Sequence, residues 1–133
     1  VALSGAIITK PKLLILDEPF DGLDPGSKAE MIDLINKINK NDGTTLIITT
    51  HDINLVPEIA DIIYVLNDGR IVARGKPDEV FSNVDVLKQA NLELPILMEL
   101  FLRLGKSGFN VELPHNIDEA EKQILSLLKK ESA

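Results

Sequence analysis

The fold class of this chain follows from residues 13–19, which read Leu13-Leu14-Ile15-Leu16-Asp17-Glu18-Pro19. Four consecutive apolar residues predict a short strand that is buried on both faces, as strands of parallel sheets are. Two carboxylates follow at the carboxyl end of this strand, the end at which open α/β sheets bind their ligands. The same stretch therefore predicts a strand and a candidate site.

Adjacent acids at the tip of an apolar strand need an explanation, because like charges repel most strongly where water is partly excluded. A metal ion and a water to be activated would supply one. A strand that simply runs out into solvent would supply another. For the pair Asp17-Glu18 taken alone, both interpretations stay open.

The chain after this pair predicts a loop, a helix, a strand and a further helix. Asp24, followed by a proline, suits the N-cap of a helix that Asn41-Asp42-Gly43 ends. Thr44 to Thr50 is rich in β-branched residues and predicts a second buried strand. Asp52 can cap another helix, which we expect to run to about Ala60. This alternation of strands and helices predicts a parallel sheet.

The next segment predicts a β-hairpin. Ile62 to Leu66 and Arg70 to Arg74 are strand-like and are joined by Asn67-Asp68-Gly69, a strong turn signal. We therefore expect the sheet to end in an antiparallel pair.

The rest of the chain has the pattern of short helices. They are predicted over residues 77–81, 84–90, 96–104 and 117–130, separated by prolines and glycines. A boundary is expected near Asn91, which would give a domain over residues 1–90 and a helical extension over residues 91–133.

The composition excludes several classes of function. The chain has no cysteine, which excludes disulfides, thiolate metal sites and cysteine nucleophiles. Its formal net charge of −7 argues against a nucleic-acid binder, which would present a basic face to the phosphates. No apolar stretch approaches the roughly 18 residues of a membrane-spanning helix. Val1 to Ile8 lacks a preceding cap, so we expect the sequence to begin inside a helix, and it is not typical of a secretory signal.

A second polar group follows the second strand, in Thr49-Thr50-His51-Asp52. Together with Asp17-Glu18 and the loop Asp21-Gly22-Leu23-Asp24-Pro25, it resembles the second half of the ABC ATPase family: the Walker B strand, the D-loop and the switch histidine, in the family's order. The resemblance continues through residues 67–71 and 75–81 and covers Val1 to about Asn91. It implies an α/β fold: part of a P-loop NTPase core with parallel strands, a terminal β-hairpin and a helical C-terminal appendage.

The resemblance also implies a role for four residues, with ATP and Mg²⁺ as cofactors. Asp17 would hold Mg²⁺ through a coordinated water, so that the metal neutralises charge on the phosphates. Glu18 would orient or deprotonate the attacking water as the general base. His51 would donate a hydrogen bond to the γ-phosphate, and Asp24 would act across a head-to-tail dimer interface.

Parts of the family's pattern are absent or altered. No G-x-x-x-x-G-K-[ST] sequence occurs, and the glutamine loop and the signature are absent too. Leu3-Ser4-Gly5 lies too close to Asp17 to be the signature and is interpreted as ordinary helix. Phe20-Asp21 departs from the commoner residues of the D-loop, but neither position performs the chemistry. We therefore expect the chain alone neither to bind nor to hydrolyse ATP usefully, and its incomplete sheet to expose apolar surface.

The C-terminal part resembles the extension of ATPases from energy-coupling-factor importers, especially the cobalt/nickel type. The matching residues are Asn91 to Pro95, Leu100 to Leu104, Gly108 and Leu113-Pro114. This resemblance implies a subunit that hydrolyses ATP to energise a membrane importer for cobalt, nickel, another ion or a vitamin. Its partners would be transmembrane permease subunits and a second ABC ATPase, identical or not, at the cytoplasmic face of the cell membrane; no nucleic acid is implied. An amphipathic appendage that merely packs on the domain is an equal and compatible interpretation.

Two other function classes share the same core features. A soluble ABC ATPase of DNA repair or translation would carry coiled-coil or basic insertions, which the sequence lacks. A non-catalytic remnant that acts as an interaction module also stays open. His115 lies near three acids, but Asn116 and Glu119 have the pattern of a helix capping box, which explains this cluster without a metal.

Overall fold

Two parallel strands and the helix between them form the first part of the fold. Strand β1, Leu13–Asp17, pairs in parallel with strand β2, Thr45–Thr49, in a register that places Asp17 opposite Thr49. Helix α1, Pro25–Asp42, connects them. The structure is a computed structural model that describes residue 5 and residues 8–131, so the helix predicted at the N-terminus and the interpretation of Leu3-Ser4-Gly5 fall mostly outside the described residues.

Both ends of α1 are set by local chemistry. The Asp24 carboxylate accepts a hydrogen bond from the backbone N–H of Ser27 at 3.0 Å, and Pro25 occupies the first turn, where its missing N–H costs nothing. Gly43 ends the helix with φ +66°, a left-handed conformation that a side chain would disfavour. The predicted bounds of this helix are confirmed.

The chain divides into two compact units, Val1–Asp52 and Ile53–Ala133. In the first unit, one face of α1 buries Ile32, Ile35 and Ile38. Thr44 is buried as well, and its hydroxyl donates to the carbonyl of Pro11 at 2.8 Å, which satisfies the polar group that burial would otherwise leave unpaired.

The prediction that both strands are buried on two faces is wrong for this chain. Burial alternates along β1 and β2, so each strand has one half-buried face and one exposed face. Leu13, Ile15 and Ile47 are 50%, 62% and 49% exposed. The reason is that a two-stranded sheet with a helix packed against it covers only one set of alternate side chains. The expected exposure of apolar sheet surface is confirmed.

The helix predicted to begin at Asp52 starts later and is shorter than expected. Only a single turn forms, α2, Val56–Ile59, and its N-cap is Leu55. Pro57 explains the late start, because a proline fits the first turn of a helix but not its interior. Asp52 instead pairs with Lys28 within the first unit.

In the second unit, helix α2 is followed by a hairpin. Strands β3, Ile63–Asn67, and β4, Arg70–Gly75, are antiparallel, and Asp68 and Gly69 both have positive φ, as a two-residue type I′ turn requires. The hairpin is confirmed, but it forms a two-stranded sheet of its own and does not extend the parallel pair. A hairpin can do this because its turn and cross-strand contacts are all local in the sequence.

Four helices complete the second unit, as predicted: α3, Pro77–Ser82; α4, Val84–Gln89; α5, Ile96–Lys106; and α6, Ile117–Glu131. The first three of these helices share a buried cluster with β3, made of Val65, Val80, Phe81, Leu87, Ala90 and Met98. This cluster draws residues from both sides of Asn91, so the boundary predicted there stays a prediction. Among the described residues, no helix is long and apolar enough to span a membrane.

The side chains around His115 form the predicted helix cap. The Asn116 side chain accepts from the N–H of Glu119 at 2.9 Å, and the Glu119 carboxylate accepts from the N–H of His115 at 2.8 Å. The His115 ring also lies 2.7 Å from the carboxylate of Asp78. Within residues 8–131, no three His, Asp or Glu side chains are grouped so that they could hold a metal ion.

Candidate functional site

Glu18 and His51 meet where β1 and β2 end. The imidazole Nδ1 of His51 lies 3.0 Å from Oε2 of Glu18, and the backbone N–H of His51 donates to the same oxygen at 3.3 Å. The parallel register is the cause: Asp17 lies opposite Thr49, so the residues that follow both strands leave the sheet at one edge. The structure therefore brings together a carboxylate and an imidazole that are far apart in the sequence.

The backbone of Glu18 is held in an uncommon conformation. Its φ of +46° lies in the left-handed region, which costs a residue with a side chain about 1–3 kcal/mol. Its N–H donates to the carbonyl of Thr49 at 3.0 Å and to the Thr49 hydroxyl at 3.1 Å. The carbonyl of Glu18 accepts from the N–H of Asp21 at 3.2 Å, which closes a turn. These bonds fix the direction in which the Glu18 carboxylate leaves the strand.

Thr49 links both acids and was missed in the sequence analysis. Its hydroxyl donates to Oδ1 of Asp17 and accepts from the N–H of Glu18. The only signal in the sequence was its position: the strand ends at Asp17 and Thr49 become partners once a parallel register is assumed. The hydroxyl thereby orients the first carboxylate of the pair while it supports the backbone of the second.

The donor set at this edge fits a magnesium ion held with a phosphate ligand. Mg²⁺ keeps several waters and takes one or two carboxylates together with substrate oxygens. Asp17 is exposed at the strand end and its direction is set by Thr49, so its carboxylate can receive a metal-bound water. Waters and substrate oxygens would then complete the coordination.

The protonation of His51 is biased by its partner. The hydrogen bond to Glu18, followed by the charge of that carboxylate, raises the pKa of His51 above its ordinary value of 6.5. The side chain is 74% exposed, so solvent screens this interaction. The imidazole therefore stays protonated to a higher pH than a free histidine.

Glu18→Gln is expected to move the midpoint of the His51 titration down toward 6.5, because the substitution removes the charge that favours the imidazolium. A raised histidine pKa stabilises the fold fully below the unfolded value and loses that contribution as pH rises through the folded value. The pair therefore stabilises the chain below about pH 6.5 and ceases to do so above the raised pKa. An NMR pH titration of the imidazole proton signals measures the midpoint. Glu30→Gln, an exposed position on α1, is the matched control, and equal midpoints in both variants would contradict the assignment.

Asp24 lies apart from this pair. Its carboxylate accepts from the N–H of Ser27 at 3.0 Å and from the Ser27 hydroxyl at 2.7 Å, and these bonds lower the pKa of Asp24. In the part of the chain that the structure describes, no hydrogen bond or ion pair joins it to Asp17, Glu18 or His51. Of the four predicted site residues, the structure thus groups three at one sheet edge and places the fourth at the start of α1.

A half-buried ion pair lies beside the site and was also missed. The Lys28 ammonium lies 2.8 Å from Oδ2 of Asp52, the residue that follows His51. The backbone N–H of Asp52 donates to the hydroxyl of Thr50 at 3.1 Å, so both the backbone and the side chain of Asp52 are held in place. No short sequence pattern predicts this ion pair, because Lys28 and Asp52 are 24 residues apart.

Comparison with known proteins identifies relatives along nearly the whole chain. A "Putative ABC transporter ATP-binding protein" of Methanosarcina acetivorans is 38% identical over 128 residues, which are 96% of this chain and 39% of that protein. The "Energy-coupling factor transporter ATP-binding protein EcfA" of Methanocaldococcus jannaschii is 41% identical over 130 residues, which are 97% of this chain and 46% of that protein. The chain thus spans less than half the length of these relatives.

A family model matches the first part of the chain, and a solved structure is similar to most of it. Residues 1–56 match the family model described as "AAA domain, putative AbiEii toxin, Type IV TA system". The structure of CbiO1 from Clostridium perfringens, described as part of the ABC transporter complex CbiONQ, aligns with a TM-score of 0.57 and 40% identity. The alignment covers 80% of this chain and 40% of CbiO1.

Proposed function

Because the chain is homologous to ABC transporter ATP-binding proteins, including those of energy-coupling factor transporters, we propose that it supplies the hydrolytic half of such a subunit's ATP site. The observation that carries this proposal is the 3.0 Å contact between Glu18 and His51 at the ends of two parallel strands. A base and a hydrogen-bond donor at one sheet edge can act on the same bound phosphate.

Each site residue receives a role from its position. Glu18, whose direction is fixed by the backbone, is the general base that orients and deprotonates the attacking water. His51, whose ring lies 3.0 Å from the Glu18 carboxylate, donates to the γ-phosphate. Asp24, at the N-cap of α1, contributes at the interface with a second ATPase subunit.

The cofactors of this proposal are ATP and Mg²⁺. Bound magnesium would neutralise charge on the transferred phosphate. Asp17 would hold it through a water, and the Thr49 hydroxyl keeps that carboxylate in place. The chain contains no G-x-x-x-x-G-K-[ST] sequence, so the proposal assigns it the metal-binding and hydrolytic residues and not the phosphate cradle.

The finer assignment is to an importer of the energy-coupling factor type. It is supported by several relatives that carry this name and by the likeness to CbiO1, which covers 80% of this chain. The partners would be transmembrane permease subunits and a second ABC ATPase, at the cytoplasmic face of the cell membrane. Cobalt, nickel, another ion or a vitamin would be the cargo. Residues 1–90 would belong to the nucleotide-binding domain and residues 91–133 to its extension.

The proposal is tested in a chimeric ATPase, in which this chain replaces the aligned 46% of the Methanocaldococcus jannaschii relative. The remainder of that relative is expected to supply the phosphate-binding loop. We expect magnesium-dependent release of phosphate from ATP, measured against the parent protein. A folded chimera that binds ATP but releases no phosphate would contradict the proposed role of the chain.

The chain by itself is expected to bind ATP no tighter than millimolar. A carboxylate and an imidazole without a backbone cradle leave the phosphates held mainly through the metal. Isothermal titration with ATP and Mg²⁺ measures the affinity, and the chimeric ATPase is the positive control. Micromolar affinity of the isolated chain would show that it carries a complete nucleotide site of a different kind.

A further inference from the structure

The ion pair between Lys28 and Asp52 connects the two loops to which the proposed function assigns Asp24 and His51. Lys28 lies in the first turn of α1, where its backbone N–H donates to the carbonyl of Asp24 at 2.9 Å. Asp52 directly follows His51, and its carboxylate lies 2.8 Å from the Lys28 ammonium. A single side chain therefore spans from the turn that begins with Asp24 to the residue next to the imidazole.

The connection is short and restrained at both ends. The side chains of Lys28 and Asp52 are 34% and 27% exposed, much less than those of Lys10 and His51. Partial burial weakens competition from water and salt. On the Asp52 side, the backbone N–H is held by Thr50; on the Lys28 side, the backbone is part of the helix. A displacement of Lys28 is therefore expected to displace Asp52, and the reverse.

A displacement of Asp52 would affect the contacts between His51 and Glu18. The His51 N–H and ring both bond to one oxygen of Glu18, so a small shift of residues 51 and 52 changes both bonds together. Asp24 is the exposed N-cap of α1 and is accessible to another molecule. The ion pair is a direct side-chain link between these two places.

We propose that Lys28 and Asp52 are positioning residues that couple Asp24 to His51, so that a contact made at Asp24 changes the position of the imidazole relative to Glu18. The inference takes its functional meaning from the proposed function, in which a second subunit contacts Asp24. The coupling itself is a property of the chain without nucleotide. An ion pair that only stabilises the fold would hold His51 in place but would not transmit a change made at Asp24.

The test is a substitution cycle read by NMR on the labelled 133-residue chain at a fixed pH. Asp24→Ala removes the N-cap acceptor and perturbs the start of α1. We expect it to shift the ring signals of His51 in the otherwise unchanged chain, and to shift them much less when Lys28→Met is also present. Lys28→Arg keeps the cation and should preserve the response. Lys37→Met, the same substitution at an exposed position of α1, should preserve it as well.

A second readout detects the link without the perturbation at Asp24. Lys28→Met should speed amide hydrogen exchange of His51 and Asp52 by about 1.4- to 5-fold, the range for losing a modest ion pair. Asp52→Asn, which keeps size and shape, should have the same effect and serves if Lys28→Met does not fold. The proposal is overturned if Asp24→Ala shifts the His51 signals equally with and without the ion pair, or leaves them unmoved in the unchanged chain. Since no nucleotide is used, this outcome is independent of whether the chimeric ATPase hydrolyses ATP.

Discussion

Glu18→Gln in the chimeric ATPase is expected to lower kcat by about 10²- to 10⁴-fold, the range of a lost general base. Glutamine has the shape of glutamate but cannot take a proton from water. ATP affinity should stay within about twofold, because the proposed contact of Glu18 is to the water and not to the nucleotide. Steady-state phosphate release gives kcat, and displacement of a fluorescent nucleotide gives the affinity.

The matched control for this experiment is Glu30→Gln, on the exposed surface of α1. It makes the same chemical change outside the candidate site, so kcat should be unaltered. A kcat of Glu18→Gln within threefold of the unsubstituted chimera would rule out Glu18 as the base. A similar loss in both variants would mean that charge on this unit, and not proton transfer, controls the rate.

Phe81→Ala is expected to destabilise the second unit, Ile53–Ala133, by about 3–5 kcal/mol. Phe81 is 2% exposed and belongs to the cluster that joins β3 to helices α3, α4 and α5. Truncation would remove most of its buried apolar surface and leave a cavity that rigid neighbours fill only in part. Because a unit of this size is stable by only several kcal/mol, such a loss approaches its whole stability.

Urea denaturation followed by far-UV circular dichroism measures this effect. Phe109→Ala is the matched control, since Phe109 is 41% exposed and its truncation removes less buried surface than that of Phe81. We expect the Phe109 variant to lose clearly less stability than the Phe81 variant, because less apolar surface leaves the core. Equal losses in the two variants would contradict the assignment of Phe81 to the core.

Helices, turns and strand ends were predictable wherever the chemistry is local. Asp24 caps α1 through its own neighbour Ser27, and Asp68-Gly69 makes a tight turn because both residues accept positive φ. The helix predicted over residues 52–60 begins later than expected, and the cause is local as well. Pro57 tolerates only a first-turn position, so the helix begins at Val56.

The candidate site was predictable in its location but not in its bonds. Two apolar strands followed by Asp17-Glu18 and by His51 indicate one sheet edge, because parallel strands place their carboxyl ends together. The bridge made by Thr49 and the ion pair of Lys28 with Asp52 depend on register and on the distance from α1 to β2. Neither quantity is encoded in a short pattern of residue types.

The amino-acid sequence by itself determined the class of the fold, the order of its elements, their caps and turns, and which acids and which histidine stand at strand ends. These depend on residues within a few positions of one another. Only the tertiary structure decided that Glu18 accepts two bonds from His51, that β1 and β2 keep an exposed face, and that the hairpin forms its own sheet. The physical reason is that such contacts join residues about 30 positions apart, or depend on what covers a surface, and both are fixed only when the chain packs.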